Sequence, residues 1–577
     1  MKKYINIICS IFAICVISTS CSDFFSPDTD DEFDASAGYT SNNEMYTGFL
    51  GIIAKVQAVG DKEILLTETR GELIEPADES TSELISLYNY DTNLQGNSYA
   101  NPAGYYEVII ACNDYLDNML RYRENPNSDT EAWPALVASA VRVKVWAYKT
   151  LAEIYGKAIW FDDPVTEVAD LHDDRFQLLE LPQLIDQCLS LLEQGYAGVK
   201  PNLNIDWHAW LDPSTALVNS EYRKWNYMVP AYAGLFAELN LWKGAVLDAA
   251  GQNSTTYYQN AVDTLLIALG GQINVASDPG SNVYWLPSAA TPGHYSPIWN
   301  YAQPYPYEAV SAINYDYKTN QTNTLLRHFS NEFPNKYWLR PSQAGMDRFL
   351  DSDFNPGSST NDTRYKCCFG TSSGQPYLSK FRPVNSSIRP NAFQDDCHIY
   401  LYRATQYHMM LCEALNHLRR FHAMNAVLNT GVKSGTTEDC FQVGAAEWKG
   451  FESTIDPTKC DWTGDANFGT RRYPSMGIRG CFGTLVARPV KTNVTELGGE
   501  KPTFRHNDLL LLDEAMLEFA GEGKVYPMMN RMAVRYQDPS IVADRVCQKY
   551  TNPALASTVR SRIMDGAYWV PFDLYNE

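Results

Sequence analysis

The sequence predicts a mostly α-helical chain, built as divergent tetratricopeptide-like helical repeats with long irregular loops and a few short strands. Three observations lead there. Apolar residues recur at steps of three and four in several separate segments, the spacing that lines one face of a helix. Short connections join these segments, as in stacked helical hairpins, although no exact 34-residue period stands out. Between them lie two long stretches rich in Gly, Pro, Ser and Asn in which the spacing disappears.

The chain opens with Lys2 and Lys3, an apolar run over 7–17, and the small residues Ser18, Thr19 and Ser20, the three parts of a secretory signal placed at residues 1–20. Eleven apolar-run residues fall short of the roughly 20 that span a bilayer, so this is a removed leader. Cys21 follows directly and resembles the lipidated first residue of bacterial lipoproteins. The aliphatic residue usual three places before that cysteine is Ser18 here, with Ile17 one place too early. Six of the thirteen residues 22–34 are acidic, so the segment repels itself and stays extended. Residues 21–38 read as a lipid-anchored tether, and an acidic run behind the cysteine resembles the surface-export signal of Bacteroidetes lipoproteins.

The helical segments come in order. Residues 104–121 form one. Val137, Val141, Val145, Tyr148, Ala152 and Tyr155 mark the next, which stops at Gly156. Others cover 178–194 and 257–269, and Tyr232, Leu235, Leu239, Trp242 and Val246 continue after Pro230, a residue tolerated in a first turn. Residues 270–390 read as loops with a few strands. Tyr400, Ala404, Tyr407, Leu411, Ala414 and Leu418 restart helix, an insertion fills 431–503, and Leu509, Leu512, Met516 and Phe519 mark a last strong helix.

Composition bounds the function. The 577 residues carry a net charge of −22, or −24 once Lys2 and Lys3 leave, which disfavours nucleic acid as a ligand. No later segment is apolar for 18 residues. The cysteines show no CxxC pair and no metal-ligand spacing. Cys112, Cys188 and Cys412 fall in helical patterns as small buried residues, and Cys440 with Cys460 is a weak disulfide candidate. No cofactor or metal site is expected. Gly370-Thr371-Ser372-Ser373-Gly374 fits GxSxG, but Pro376 and Pro383 oppose the helix that a nucleophile elbow requires. His417 and His422, beside Arg419 and Arg420, read as a surface charge cluster rather than a metal site.

The positive candidate is an aromatic loop with Tyr284, Trp285, Tyr295, Trp299, Tyr301, Tyr305 and Tyr307, stiffened by Pro287, Pro292, Pro297, Pro304 and Pro306. A sugar ring has an apolar C–H face bordered by hydroxyls. It can lie on an indole or phenol while Asn282, Asn300 or Gln303 takes the hydroxyls. Rings of this kind also serve as buried loop anchors. A second, smaller cluster is Tyr88, Asn89 and Tyr90 with Asn97, Tyr99 and Asn101.

With these residues in view, the chain resembles the SusD/RagB family of Bacteroidetes outer-membrane nutrient-binding lipoproteins. Ala111-Cys112-Asn113-Asp114-Tyr115-Leu116 is similar to the family's early Cys/Asn/Tyr helix. The segment from Val141 through Tyr148 to Tyr155-Gly156 is similar to its A-x-x-x-R-A-x-A-Y-x-x-L-x-x-x-Y-G segment. Tyr402-Arg403-Ala404 with Leu411-Cys412-Glu413-Ala414-Leu415-Asn416, then Asp513 to Lys524, and Trp569-Val570-Pro571 resemble later family segments in the same order. Cys412, Val525-Tyr526-Pro527 and the 431–503 insertion depart from the pattern. The resemblance implies an N-terminal SusD-like helical-repeat region over 39–250 and a RagB/SusD-like region with ligand loops over 251–577. It also implies a non-catalytic, surface-exposed outer-membrane protein that passes oligosaccharide to a SusC-like TonB-dependent transporter. The alternatives are a peptide-binding or purely protein-binding scaffold of the same complex, or a helical glycoside hydrolase. Family ligand contacts lie in variable loops, so Trp285, Trp299, Tyr284, Tyr295, Tyr301 and Tyr305 rest on the aromatic-loop reasoning. Radiolabelled palmitate should mark the expressed chain, and Cys21→Ala should abolish that label; an unlabelled wild type overturns the anchor.

Overall fold

The computed structural model describes residues 38–125, 132–165, 175–194, 228–269, 298–299, 308–357, 362–381, 394–432, 436–453, 477–480 and 485–572. Helices dominate. In chain order, α1 is Asn42–Arg70, β1 Ile74–Pro76, α2 Ser82–Tyr88, α3 Ala103–Tyr122, α4 Trp133–Tyr155, β2 Lys157–Trp160, β3 Gln177–Glu180 and α5 Leu181–Gln194. Next come α6 Tyr232–Ala249, α7 Thr255–Leu269, β4 Ala309–Ile313, α8 Leu325–Phe329, β5 Leu339–Pro341, α9 Gln343–Leu350, α10 Thr363–Cys368, β6 Phe369–Ser372 and β7 Gln375–Leu378. The chain continues with β8 Ile399–Arg403, α11 Ala404–His417, α12 Phe421–Asn425, α13 Glu500–Glu518, α14 Val525–Tyr536, α15 Ser540–Val546 and α16 Pro553–Arg562. The strands pair antiparallel in twos, β1 with β5, β2 with β3, β4 with β8 and β6 with β7. Two compact units result. One draws on Met1–Val59, Gln95–Pro230 and Val570–Glu577, the other on Gly60–Leu94 and Ala231–Trp569.

In the first unit, α3, α4 and α5 pack side by side. α4 is buried on nearly every side, so the charges along it must be paired where they stand. Lys144 meets Asp162 at 2.7 Å, and Lys149 meets Glu153 at 2.7 Å one turn on. Gly156 ends the helix in the left-handed region, φ 70°, which glycine adopts without strain. Motif residues then latch the chain that follows. Tyr106 Oη accepts from Ile159 N–H at 2.9 Å, Tyr148 Oη accepts from Phe161 N–H at 3.1 Å, and Asn113 Nδ2 donates to Phe161 O at 3.2 Å. Cys112 and Cys188 are buried apolar filler, as expected.

In the second unit, α6 and α7 form a helical hairpin against α11 and α14. Gly234 lets the Tyr402 ring approach, since a Cβ there would stand 2.6 Å from the ring. The core of this unit is charged. Glu514 on α13 accepts from Arg364 Nη1 at 2.8 Å, Arg479 Nη1 at 2.6 Å and Arg488 Nε at 2.6 Å. Arg364 also meets Asp362 at 2.7 Å and Glu518 at 3.2 Å. Arg403 meets Glu518 at 2.9 Å and Glu522 at 2.8 Å, and Lys380 meets Glu522 at 2.7 Å. A second cluster joins Glu413 to Arg531 and Arg535, each at 2.6 Å, and Arg535 to Asp508 at 2.8 Å. Burial opposes ionisation of Glu514, but Arg364, Arg479 and Arg488 hold it well below the ordinary carboxylate range. Against the same penalty, Arg531 and Arg535 hold Glu413 down to about 2.

The structure corrects several boundaries. Tyr400 lies in β8, and α11 starts only at Ala404; Leu178, Leu179 and Glu180 pair with β2 before α5 begins. In both places a short strand runs straight into the helix, buried in β8 and largely exposed in β3, and its apolar residues continue the helical spacing of the next element. Pro230 precedes α6 instead of lying in its first turn. The 270–390 stretch also holds α8, α9 and α10. His417 is not a surface cluster member: its side chain is buried, 3.0 Å from Asp508 and stacked on Tyr258. Cys440 is buried, and Cys460 lies outside the described residues.

Glu514→Gln should cost roughly 3–5 kcal/mol in urea unfolding at pH 7, because it strands buried guanidinium groups. Glu496→Gln, in an exposed pair with Lys491, should cost under about 1 kcal/mol. Both Glu413 and Glu514 titrate below their ordinary value of 4.5, so their stabilisation is present above it and drains away as pH falls toward the folded values. The urea midpoint should therefore drop between about pH 5 and pH 3.

Candidate functional site

Most of the sequence-predicted ligand residues lie outside the described residues: Tyr284, Trp285, Tyr295, Tyr301 and Tyr305, together with Cys21. Trp299 is described. It is half-buried, with the Lys380 ammonium 4.5 Å from its ring centroid and the Tyr400 ring edge-on at 5.4 Å. Lys380 is tied in turn to Glu522, so one side of this indole is committed to the charged core. In the smaller cluster, Tyr90 is fully buried, donates to Arg70 O and packs on the Arg70 guanidinium; it is an anchor. Asn97 and Asn101 are also spent locally, accepting from the N–H groups of Tyr99, Ala100 and Ala103. Tyr88 is half-buried against Tyr550, with centroids 4.5 Å apart.

The surface that does present an aromatic ring was not anticipated. Phe333, 91% exposed, sits on the loop 330–338 between α8 and β5. The loop is stapled along its length. Ser330 Oγ accepts from Glu332 N–H at 3.3 Å, Asn335 N–H donates back to Glu332 O at 3.0 Å, and Lys336 and Tyr337 N–H donate to Arg327 O at 2.9 and 3.2 Å. Asn331 Nδ2 donates to Ser372 O at 3.1 Å, the Tyr337 hydroxyl to Pro376 O, and Ala77 N–H to Trp338 O at 2.9 Å. Trp338 is fixed edge-on by His328 at 5.1 Å. Beside the loop, Arg340 pairs with Glu75 at 2.9 Å across the β1–β5 register and reaches Gln375 Oε1 at 3.4 Å. Burial pushes the Tyr337 phenol up to about 12, and Arg340 partly offsets it.

The GxSxG segment lies in this surface and is a hairpin, not an elbow. Ser372 pairs with Gln375 across β6 and β7. The two-residue turn Ser373-Gly374 has φ of 53° and 78°, the signature of a type I′ connection. A strand, not a helix, follows the serine, so its hydroxyl is not raised on a strand-to-helix turn. Sequence reading passed over Phe333 because one Phe between Glu332 and Pro334 carries no pattern; the exposure comes from the staples.

Among the described residues no grouping of His, Cys, Asp and Glu has metal-site geometry, and no helix is long and apolar enough to cross a membrane. Phe333→Ala should leave the unfolding free energy within about 0.5 kcal/mol of wild type. Asn331→Ala should cost about 1 kcal/mol by freeing two carbonyls of the hairpin, a difference that thermal denaturation resolves.

No protein-family model matches the chain, and no curated protein sequence matches it. Solved structures do. A SusD homolog from Bacteroides thetaiotaomicron VPI-5482 superposes with a TM-score of 0.55 at 11% identity, covering 95% of this chain and 99% of that one. A laminarin-binding SusD-like protein gives 0.53 at 13% identity, over 88% and 94%. Surface glycan-binding protein A from Bacteroides thetaiotaomicron, solved with laminarihexaose, gives 0.51 at 13%, over 87% and 92%.

Proposed function

We propose that this chain, which has the SusD-like fold, is a surface-exposed, lipid-anchored glycan-binding protein of the outer membrane that captures oligosaccharide for a SusC-like TonB-dependent transporter. It is a binding protein and carries out no bond-breaking step. The observation that carries the reading is Phe333: a large ring almost wholly in water, on a loop already ordered before any ligand arrives. A pre-ordered loop gives up little conformational freedom on binding. The ring can take the C–H face of a sugar, while Gln375 and the Arg340–Glu75 pair stand nearby for hydroxyls. Two of the structural neighbours bind laminarin or laminarihexaose, which supports the ligand class. Trp285, Trp299, Tyr284, Tyr295, Tyr301 and Tyr305 extend the same proposal to the aromatic loop.

Delivery to a transporter rests on the fold and on the anchor at Cys21. Co-purification of a β-barrel partner with the lipidated protein supports it, and recovery of the protein from the periplasm counts against it. For binding, Phe333→Ala, Trp285→Ala and Trp299→Ala should each weaken oligosaccharide affinity by about 1–3 kcal/mol in calorimetry, the scale of ring stacking on aromatics. Unchanged affinity in all three variants would remove the aromatic platform from the mechanism.

A further inference from the structure

We propose that the Phe333 platform selects anionic oligosaccharides, with Arg327 and Lys336 receiving a carboxylate or sulfate of the sugar; this rests on the glycan-binding reading above. The two residues are adjacent in space, because the N–H of Lys336 donates to the carbonyl of Arg327 at 2.9 Å. Both are exposed. Two other exposed arginines do meet acids: Arg419 meets Glu500 at 2.8 Å, and Arg560 meets Asp544. Arg327 meets no carboxylate among the described residues, and neither does Lys336. The Arg327 guanidinium lies instead over the Trp338 ring, 5.0 Å from its centroid. Trp338 is itself held by His328 and by the hydrogen bond at its carbonyl, which gives the guanidinium an ordered ring to lie over.

The nearby acids do not cancel these cations. Glu75 and Asp78 are turned to Arg340, at 2.9 and 3.6 Å. Glu332, on the same loop, forms no ion pair with either cation. The planar guanidinium matches a carboxylate or a sulfate with two parallel hydrogen bonds, and the Lys336 ammonium adds a mobile charge. A hexuronate or sulfated sugar carries its anion on the ring that would stack on Phe333. Phe333 and Lys336 lie three residues apart on one loop whose backbone is bonded to Arg327, and in this proposal one sugar residue meets ring and cations together.

The test uses the whole mature chain and three probes of equal length: a neutral β-glucan oligosaccharide, an oligogalacturonide and a sulfated oligosaccharide. Calorimetry should show at least one anionic probe bound tenfold or more tightly than the neutral one, with the gap narrowing as salt rises. Arg327→Gln with Lys336→Gln should erase that gap, and circular dichroism should show the fold intact. The carboxylate and sulfate probes distinguish the two sources of charge. Equal or tighter binding of the neutral probe, or a gap that survives the double substitution, overturns the anionic selectivity while glycan capture stands. Binding of none of the three by wild type overturns both.

Discussion

Glu514 accepts from three arginines in a space closed to water, and much of the larger unit is organised around that carboxylate and its neighbours on α13. The partners come from distant parts of the chain. Arg364 opens α10, Arg479 and Arg488 belong to the irregular stretch before α13, and Arg403 ends β8. Three of these guanidiniums also donate to backbone oxygens: Arg488 to Phe354 O and Arg403 to Glu518 O, both at 3.0 Å, and Arg479 to Pro356 O at 2.8 Å. Segments with little regular structure are therefore fixed by charge and geometry together. A buried ion pair gives less net stability than its contacts suggest, since both ions lose hydration. Its effect is on specificity, because any other packing would leave a buried charge unpaired.

The same logic explains which parts of the sequence carry recognisable motifs. Asn113 and Tyr148 latch the chain after β2, Glu413 holds Arg531 and Arg535, and Glu518 with Glu522 holds Arg403. The segments that resemble a family thus hold the scaffold. The loop carrying Phe333 is held to that scaffold at its two ends and by its staples to the β6–β7 hairpin. Phe333 at its tip is 91% exposed and takes no part in the buried charge clusters of the core.

Legibility followed the length and periodicity of each element. α4 was readable to its last residue because its apolar stripe is long and Gly156 can adopt the left-handed cap. β8 and β3 were not, because strands of five and four residues run straight into helices and their apolar residues mimic the helical step. His417 looked superficial for its charged neighbours Arg419 and Arg420; its packing against Tyr258 and Asp508 is tertiary and leaves no local trace. The aromatic-loop reading selected rings by density. Trp299 shows the weakness of that signal, since Lys380 and Tyr400 already hold its ring. Phe333 was the reverse, a lone ring whose significance comes from hydrogen bonds to residues about 40 positions away.

The charge distribution joins the core to the surface. Among the described residues, fourteen buried Lys and Arg stand against thirteen buried Asp and Glu, so the interior is nearly neutral. The net charge of −22 is therefore not carried by these buried groups, which take up fourteen of the chain's 46 Lys and Arg. Some exposed cations meet an acid, as Arg419 and Arg560 do, while Lys318, Lys366, Lys449 and Lys501 form no ion pair among the described residues. Arg327 and Lys336 are two adjacent exposed cations on the same stretch as the Phe333 ring. A negative exterior would also repel an anionic polymer at long range, though screening within about 10 Å at 0.1 M salt limits that repulsion. Short-range recognition by a fixed guanidinium and a bare ring is the arrangement that could still capture such a ligand, and it would do so only where those groups are.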